Sequence, residues 1–163
     1  MTHLTAFSDL ERELSSTRRL LARLPDSVTD WAPHSRSASL MGLANHVADL
    51  PNRGTAILIS DEVDVASRPP SAPAFTRDDL ITRFDLACGR LMAALAAMTT
   101  ETLDRTWTLR LGPTVLLAGP KRDLLRIVAI NHLVHHRAQL GVYLRMLDIA
   151  IPGMYGPSAD EPS

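Results

Sequence analysis

Three of the six histidines fall inside the run Asn131-His132-Leu133-Val134-His135-His136-Arg137-Ala138-Gln139. Neutral imidazole lends a nitrogen lone pair to a metal ion, and it titrates near neutral pH. His132 and His136 are four residues apart, so on an α-helix their rings stand on one face about one turn from each other. One helix thereby offers two imidazoles to one ion. Leu133 follows His132 where a zincin protease helix has glutamate, and no Glu-x-x-His pair of a di-iron carboxylate bundle occurs. A Gly-rich phosphate loop, a Cys-x-x-Cys pair and a nucleophile elbow are also missing from the sequence.

His46 is the third candidate. It lies on a predicted helix whose one face carries Ser39, Gly42, Leu43, His46, Asp49, Leu50 and Arg53. Alone it reads as a hydrogen-bonded histidine on a partly buried face. Together with His132 and His136 it makes a donor set suited to zinc, nickel, copper or ferrous iron. Three histidines leave at least one coordination position for water or substrate, the arrangement of a catalytic rather than a structural site. Water bound there would be acidified towards neutrality. His135, about 60 degrees from His132 on the flank away from His136, could replace either ligand, but reads more readily as a residue behind the ligands, at the surface, or at a subunit contact. Asp49 could be a fourth ligand, could orient an imidazole ring, or could pair with Arg53 four residues on. Gln139 and Tyr143 follow His132 and His136 on the same helical face and are candidates to line the pocket or orient a ring.

The elements that position these residues read as helices. Ser8-Asp9-Leu10-Glu11 has the form of a capping box, opening a first helix to about Leu24. A second helix starts near Ser37 or Ser39 and runs to about Ser60, with a kink or break expected at Pro51. Residues 61–75, with Pro69, Pro70 and Pro73, read as a long loop, and Thr76 caps a third helix reaching about Thr99. Trp107-Thr108-Leu109-Arg110-Leu111 alternates before Gly112-Pro113, which fits either a small hairpin or an irregular loop. The last helix runs from about Pro120 to about Leu147. At 100 degrees per residue one face holds Leu125, Val128, His132, His136, Gln139 and Tyr143. The other side, with Ile127, Ile130, Val134 and Leu144, would cover a second subunit. The tail, 149–163, has no periodicity and should lie over the helices or fray.

The fold class this predicts is all-α, a four-helix bundle forming one domain over 1–163. Charge and composition bound the partners. With 17 basic and 18 acidic residues the formal charge is −1, so no nucleic acid or acidic membrane is expected as a partner. The single cysteine, Cys88, excludes an internal disulfide and reads as a small buried residue. No leader and no run of about 18 uncharged apolar residues occurs, so a soluble cytoplasmic protein is expected.

The run Asn131 to Leu140, then Tyr143-Leu144-Arg145, then Ile151-Pro152-Gly153-Met154-Tyr155-Gly156-Pro157-Ser158, closely resembles the C-terminal signature of the DinB-like (DinB/YfiT-like) metalloenzyme family. Trp31-Ala32-Pro33 followed by Ser39-Leu40-Met41-Gly42-Leu43-Ala44-Asn45-His46 resembles that family's first-ligand region. The resemblance implies a four-helix bundle of up-up-down-down connectivity, usually a homodimer, with one divalent metal on three histidines. The family's ligand pattern falls on His46, His132 and His136. It also implies a small-molecule substrate and, by analogy with relatives that are thiol-dependent S-transferases, a low-molecular-weight thiol as co-substrate. The expected function is a divalent-metal-dependent enzyme of thiol S-transferase or hydrolase type using zinc, nickel or iron. The alternative is a non-catalytic metal-binding stress-response protein acting as a dimer.

Overall fold

A computed structural model describes residues 7–26, 30–67 and 76–161. The prolines Pro69, Pro70 and Pro73 of the expected long loop lie outside the described residues. Helix α1 (Leu10–Leu21) has Asp9 at its N-cap position with no side-chain cap hydrogen bond, in place of a Ser8–Glu11 box. The Asp9 carboxylate accepts from the Arg126 guanidinium at 2.7 and 3.1 Å, so it serves the last helix instead of its own. Helix α2 (Leu40–Ile59) starts where Ser39 Oγ accepts the Gly42 N–H at 3.1 Å. Pro51 lies inside α2, which nevertheless continues unbroken to Ile59. Helix α3 (Arg77–Ala96) is capped by Thr76, whose hydroxyl accepts the Asp79 N–H at 3.1 Å. Leu80, Phe84, Ala87, Leu91 and Leu95 form its buried stripe.

The expectation of an all-α four-helix bundle is overturned by a three-stranded mixed sheet. Strand β1 (Glu62–Asp64) follows α2 directly. After the short helix α4 (Thr100–Asp104), β2 (Thr106–Leu111) and β3 (Thr114–Pro120) form an antiparallel hairpin. Gly112 takes the turn with φ at 55°, a conformation that glycine reaches without a Cβ clash. The order is β1-β2-β3, with β1 parallel to β2 and Val63 opposite Leu109. Asp64 Oδ1 accepts the Gly112 N–H at 3.0 Å and ties the hairpin turn to β1. Of the two readings open for residues 107–117, the hairpin is the one found. The parallel partner joining it comes from a stretch with no strand periodicity.

The last helix is three consecutive segments: α5 (Lys121–Leu124), a π-helical stretch (Leu125–Asn131) and α6 (His132–Met146). A π turn holds more residues than an α turn, so stepping 100 degrees per residue fails across it. Leu125, Ala129 and Ile130 are buried there, whereas Ile127 is 54% exposed. Ile130 and Leu144, expected on a side facing another subunit, belong instead to the core of this chain.

Helix α2 packs against α3, the π segment and α6, and α1 packs against α3 and α6. Two buried cations lock these elements. Lys121, 2% exposed, donates from Nζ to the Leu58 and Ser60 carbonyls at 3.2 and 2.6 Å. It thereby satisfies the end of α2, where helix carbonyls lack N–H partners. Arg137, also 2% exposed, pairs with buried Glu13 at 2.7 Å and donates to the Tyr155 hydroxyl at 2.8 Å. Tyr155 in turn donates to Glu13 at 2.9 Å, so the tail is fastened to α1 and α6. Asp160 and Glu161 hold the rest of the tail through Arg145 and the Ile151 and Gly153 N–H groups. The tail therefore lies over the helices as far as it is described.

Candidate metal centre

His46 comes from the second turn of α2, while His132 and His136 open α6 one turn apart. Their ligand atoms all lie within 4.8 Å of one another. The Nε2 atoms of His46 and His132 are 3.3 Å apart, and those of His132 and His136 are 2.8 Å apart. Two nitrogens bound tetrahedrally to zinc at about 2.0–2.1 Å stand about 3.3 Å from each other, so the spacing fits an ion with small ring rotations.

The outer nitrogens reinforce the fit. His132 Nδ1 lies 3.3 Å from the Val128 carbonyl, and His136 Nδ1 lies 2.6 Å from Gln139 Oε1. The Val128 carbonyl accepts and so favours the His132 proton on Nδ1, and the Gln139 amide can hold His136 the same way, which lets both rings turn a bare Nε2 inward. At 2.8 Å the two Nε2 atoms either share a proton in an N–H···N hydrogen bond or, with both nitrogens bare, hold a cation between them. The π segment contributes here, since it supplies Val128.

Burial lowers the His46 pKa to about 4, helped by the Arg53 guanidinium and by His136 and His132. Burial, followed by the His136 charge, also lowers that of His132. Desolvation thus keeps both rings neutral in the range where a free imidazole would begin to protonate, which is the form a metal needs. Arg53 Nη2 is 3.5 Å from His46 Nδ1.

The remaining sequence candidates divide. Gln139 orients His136, as described. Asp49 stands outside the three-residue cluster, and its Oδ1 accepts from Asn52 Nδ2 at 3.1 Å. Tyr143 packs edge-on against Trp31 at 5.7 Å between centroids, joining the loop before α2 to α6. His135 is exposed and lies against the His136 ring at 4.8 Å, outside the ligand cluster. Cys88 sits on α3, its thiol pushed up to about 12 mainly by burial, so it is no thiolate nucleophile. Arg53 and Val128 were placed on the histidine faces by sequence, but their contacts with the outer nitrogens of His46 and His132 were not. The face that joins His46 to Arg53 was the available signal for the first, and the four-residue spacing from Val128 to His132 was the signal for the second.

Beside these two residues lies a cavity of about 250 Å³, lined by Arg53, Ala56, Val63, Val65, Trp107, Leu109 and Val128. Its floor is one face of the sheet, since residues two apart on a strand point the same way. Arg53 and Val128 are shared between the cavity and the outer nitrogens of His46 and His132.

Among solved structures the chain is similar to a DinB-like protein from Bacillus subtilis, with 19% identity and a TM-score of 0.71 over 92% of this chain and 96% of that one. A DinB-like protein from Bacillus cereus gives 18% identity and a TM-score of 0.70, covering 94% of this chain and 98% of that one. A protein of the DinB family from Exiguobacterium sibiricum is 21% identical, with a TM-score of 0.64 and 98% of each chain covered. At these identities the likeness establishes the fold. No curated protein matches the chain. The sequence pattern of the DinB superfamily matches residues 9–140, which is most of the chain, with His46, His132 and His136 all inside the match. The chain therefore belongs to the DinB superfamily.

Proposed function

We propose that this chain is a divalent-metal-dependent enzyme in which His46, His132 and His136 hold one ion. The observation that carries the reading is the convergence of the three imidazoles, with Nε2 atoms 2.8 and 3.3 Å apart and an oxygen within reach of Nδ1 on both His132 and His136. Zinc, nickel and iron all suit three imidazoles. The ion would supply Lewis acidity, lowering the pKa of a water or a low-molecular-weight thiol at the position the histidines leave open. This chain's own groups do the rest. Val128 and Gln139 fix the tautomers and ring planes of His132 and His136, and burial keeps His46 neutral. The chain is read as acting in the cytoplasm as a homodimer on a small molecule. Among the described residues no helix is long and apolar enough to cross a membrane.

Elemental analysis of protein purified without a metal-affinity tag tests the first half of this reading, with about one divalent ion per chain expected. Rates of thiol conjugation to an electrophile, with and without that ion, test the second. A faster metal-loaded form supports the S-transferase type. Equal rates across several thiols, with the ion bound, would leave a metal-binding protein without that catalysis.

A further inference from the structure

We propose that the cavity between α2, the sheet and the π segment binds a small carboxylate with an apolar body, with Arg53 as partner of the carboxylate. The walls are apolar. Val63, Trp107 and Leu109 come from the sheet and Val65 from the turn just after β1, and Ala56 and Val128 face them from the helices. The volume, about 250 Å³, selects for size. A dry cavity of about 150 Å³ takes benzene, and drug-sized ligands need about 300 Å³ or more. A ring or branched chain with one short polar extension fills the space between those limits.

The head group follows from charge. Among the described residues Arg53 is the one charged member of the lining, and its Nη2 is 3.5 Å from His46 Nδ1. The three-histidine cluster contains no carboxylate. A divalent ion there would add two positive charges beside the guanidinium, offset in part by Asp49 nearby. An anion on the cavity side lowers the energy of that arrangement, and the planar fork of arginine matches a carboxylate by two hydrogen bonds. A neutral ligand of the same shape gains the burial but not the charge pairing. The sheet that makes the floor is the element separating this fold from a plain helical bundle, so the cavity and the sheet belong together.

The role of this cavity as the substrate's pocket rests on the metal reading above, whereas binding itself does not need the ion. Phenylacetate and its neutral isostere phenylacetamide are titrated into valine-methyl-labelled protein, metal-free and zinc-loaded, and followed by NMR. Phenylacetate should shift the methyls of Val63, Val65 and Val128 in both forms and bind at least about tenfold tighter than the amide. Arg53→Gln should erase that preference, and Ala56→Phe should fill the space and abolish binding. Equal affinity for acid and amide, or shifts at other valines, would overturn the proposal without reference to any variant. No binding to a protein that holds zinc normally overturns the cavity assignment and leaves the metal reading intact. Phenylacetate binding to a chain that takes up no metal does the reverse.

Discussion

The Nε2 atoms of His132 and His136 face each other at 2.8 Å while Nδ1 of each ring lies within hydrogen-bond reach of an oxygen. With both protons on Nδ1 the two Nε2 lone pairs repel, and a positive charge between them relieves that repulsion. A metal ion held also by His46 meets that need. His46→Ala, His132→Ala and His136→Ala should each release most of the bound metal with helical circular dichroism retained, and His135→Ala should keep it. Metal content by mass spectrometry decides. A His135 variant that empties the site while the His136 variant does not would place the ligand register elsewhere.

The low pKa of His46, about 4 against 6.5 for a free imidazole, sets a pH dependence for the metal-free chain. The unfolded state takes up the proton first as pH falls, because its pKa is the higher. This contribution to stability is therefore full above 6.5 and is lost as pH falls towards about 4. Thermal unfolding of the metal-free protein should show a midpoint dropping across that window. His46→Gln, which cannot protonate, should flatten the drop.

Arg137 and Glu13 are buried together, so removing one leaves the other charge without its partner. Arg137→Met should cost about 3–5 kcal/mol in urea unfolding. The double variant with Glu13→Leu should recover much of that loss. Tyr155→Phe, which removes only the hydroxyl bridging them, should cost about 1 kcal/mol.

At Gly54, α2 packs closely against its neighbours. A Cβ there would lie 2.9 Å from Leu91 Cδ1, 3.1 Å from Leu125 Cδ1 and 3.2 Å from Ala129 Cβ. Gly54→Ala should destabilise the fold by about 1–3 kcal/mol through overpacking, despite the better helix propensity of alanine. An unchanged unfolding midpoint would mean that the leucines move aside at no cost.

The proposed homodimer has a surface to test. Val142 and Met146, 58% and 56% exposed, stand one turn apart on α6. Light scattering should give the mass of two chains for the parent protein. Val142→Glu with Met146→Glu should give the mass of one, with the helical signal retained. A parent protein running as a single chain at micromolar concentration would end the proposal.

Much of the helical frame was legible because its signals are local. Ser39 and Thr76 cap where their hydroxyls were expected to, and the α3 stripe follows helical periodicity. The convergence of His46, His132 and His136 was legible because each lies on a helical face that two or more other residues define. The failures have a common cause in contacts made far along the chain. Glu62-Val63-Asp64 has no strand pattern of its own and pairs only because β2 lies beside it. Asp9 and not Ser8 begins α1, with its carboxylate engaged by Arg126 of the last helix. The phase of residues 125–131 departs from an α-helix, and no residue type in that stretch announces a π turn.

That π stretch has a consequence for lineage and alignment. It resembles an α-helix that has gained a residue while its two ends stayed in place, because wider turns absorb length without adding a full rotation. Aligning this helix with a relative that is α-helical throughout calls for a one-residue gap between Leu125 and Asn131. Without that gap, His132 is matched to a position on a different side of the relative's helix. Deleting the exposed Ile127 would let the stretch rewind as α-helix with Leu124 and His132 still facing as they do. It is the part of the last helix where an insertion or deletion can be absorbed without swinging His132 and His136 away from His46.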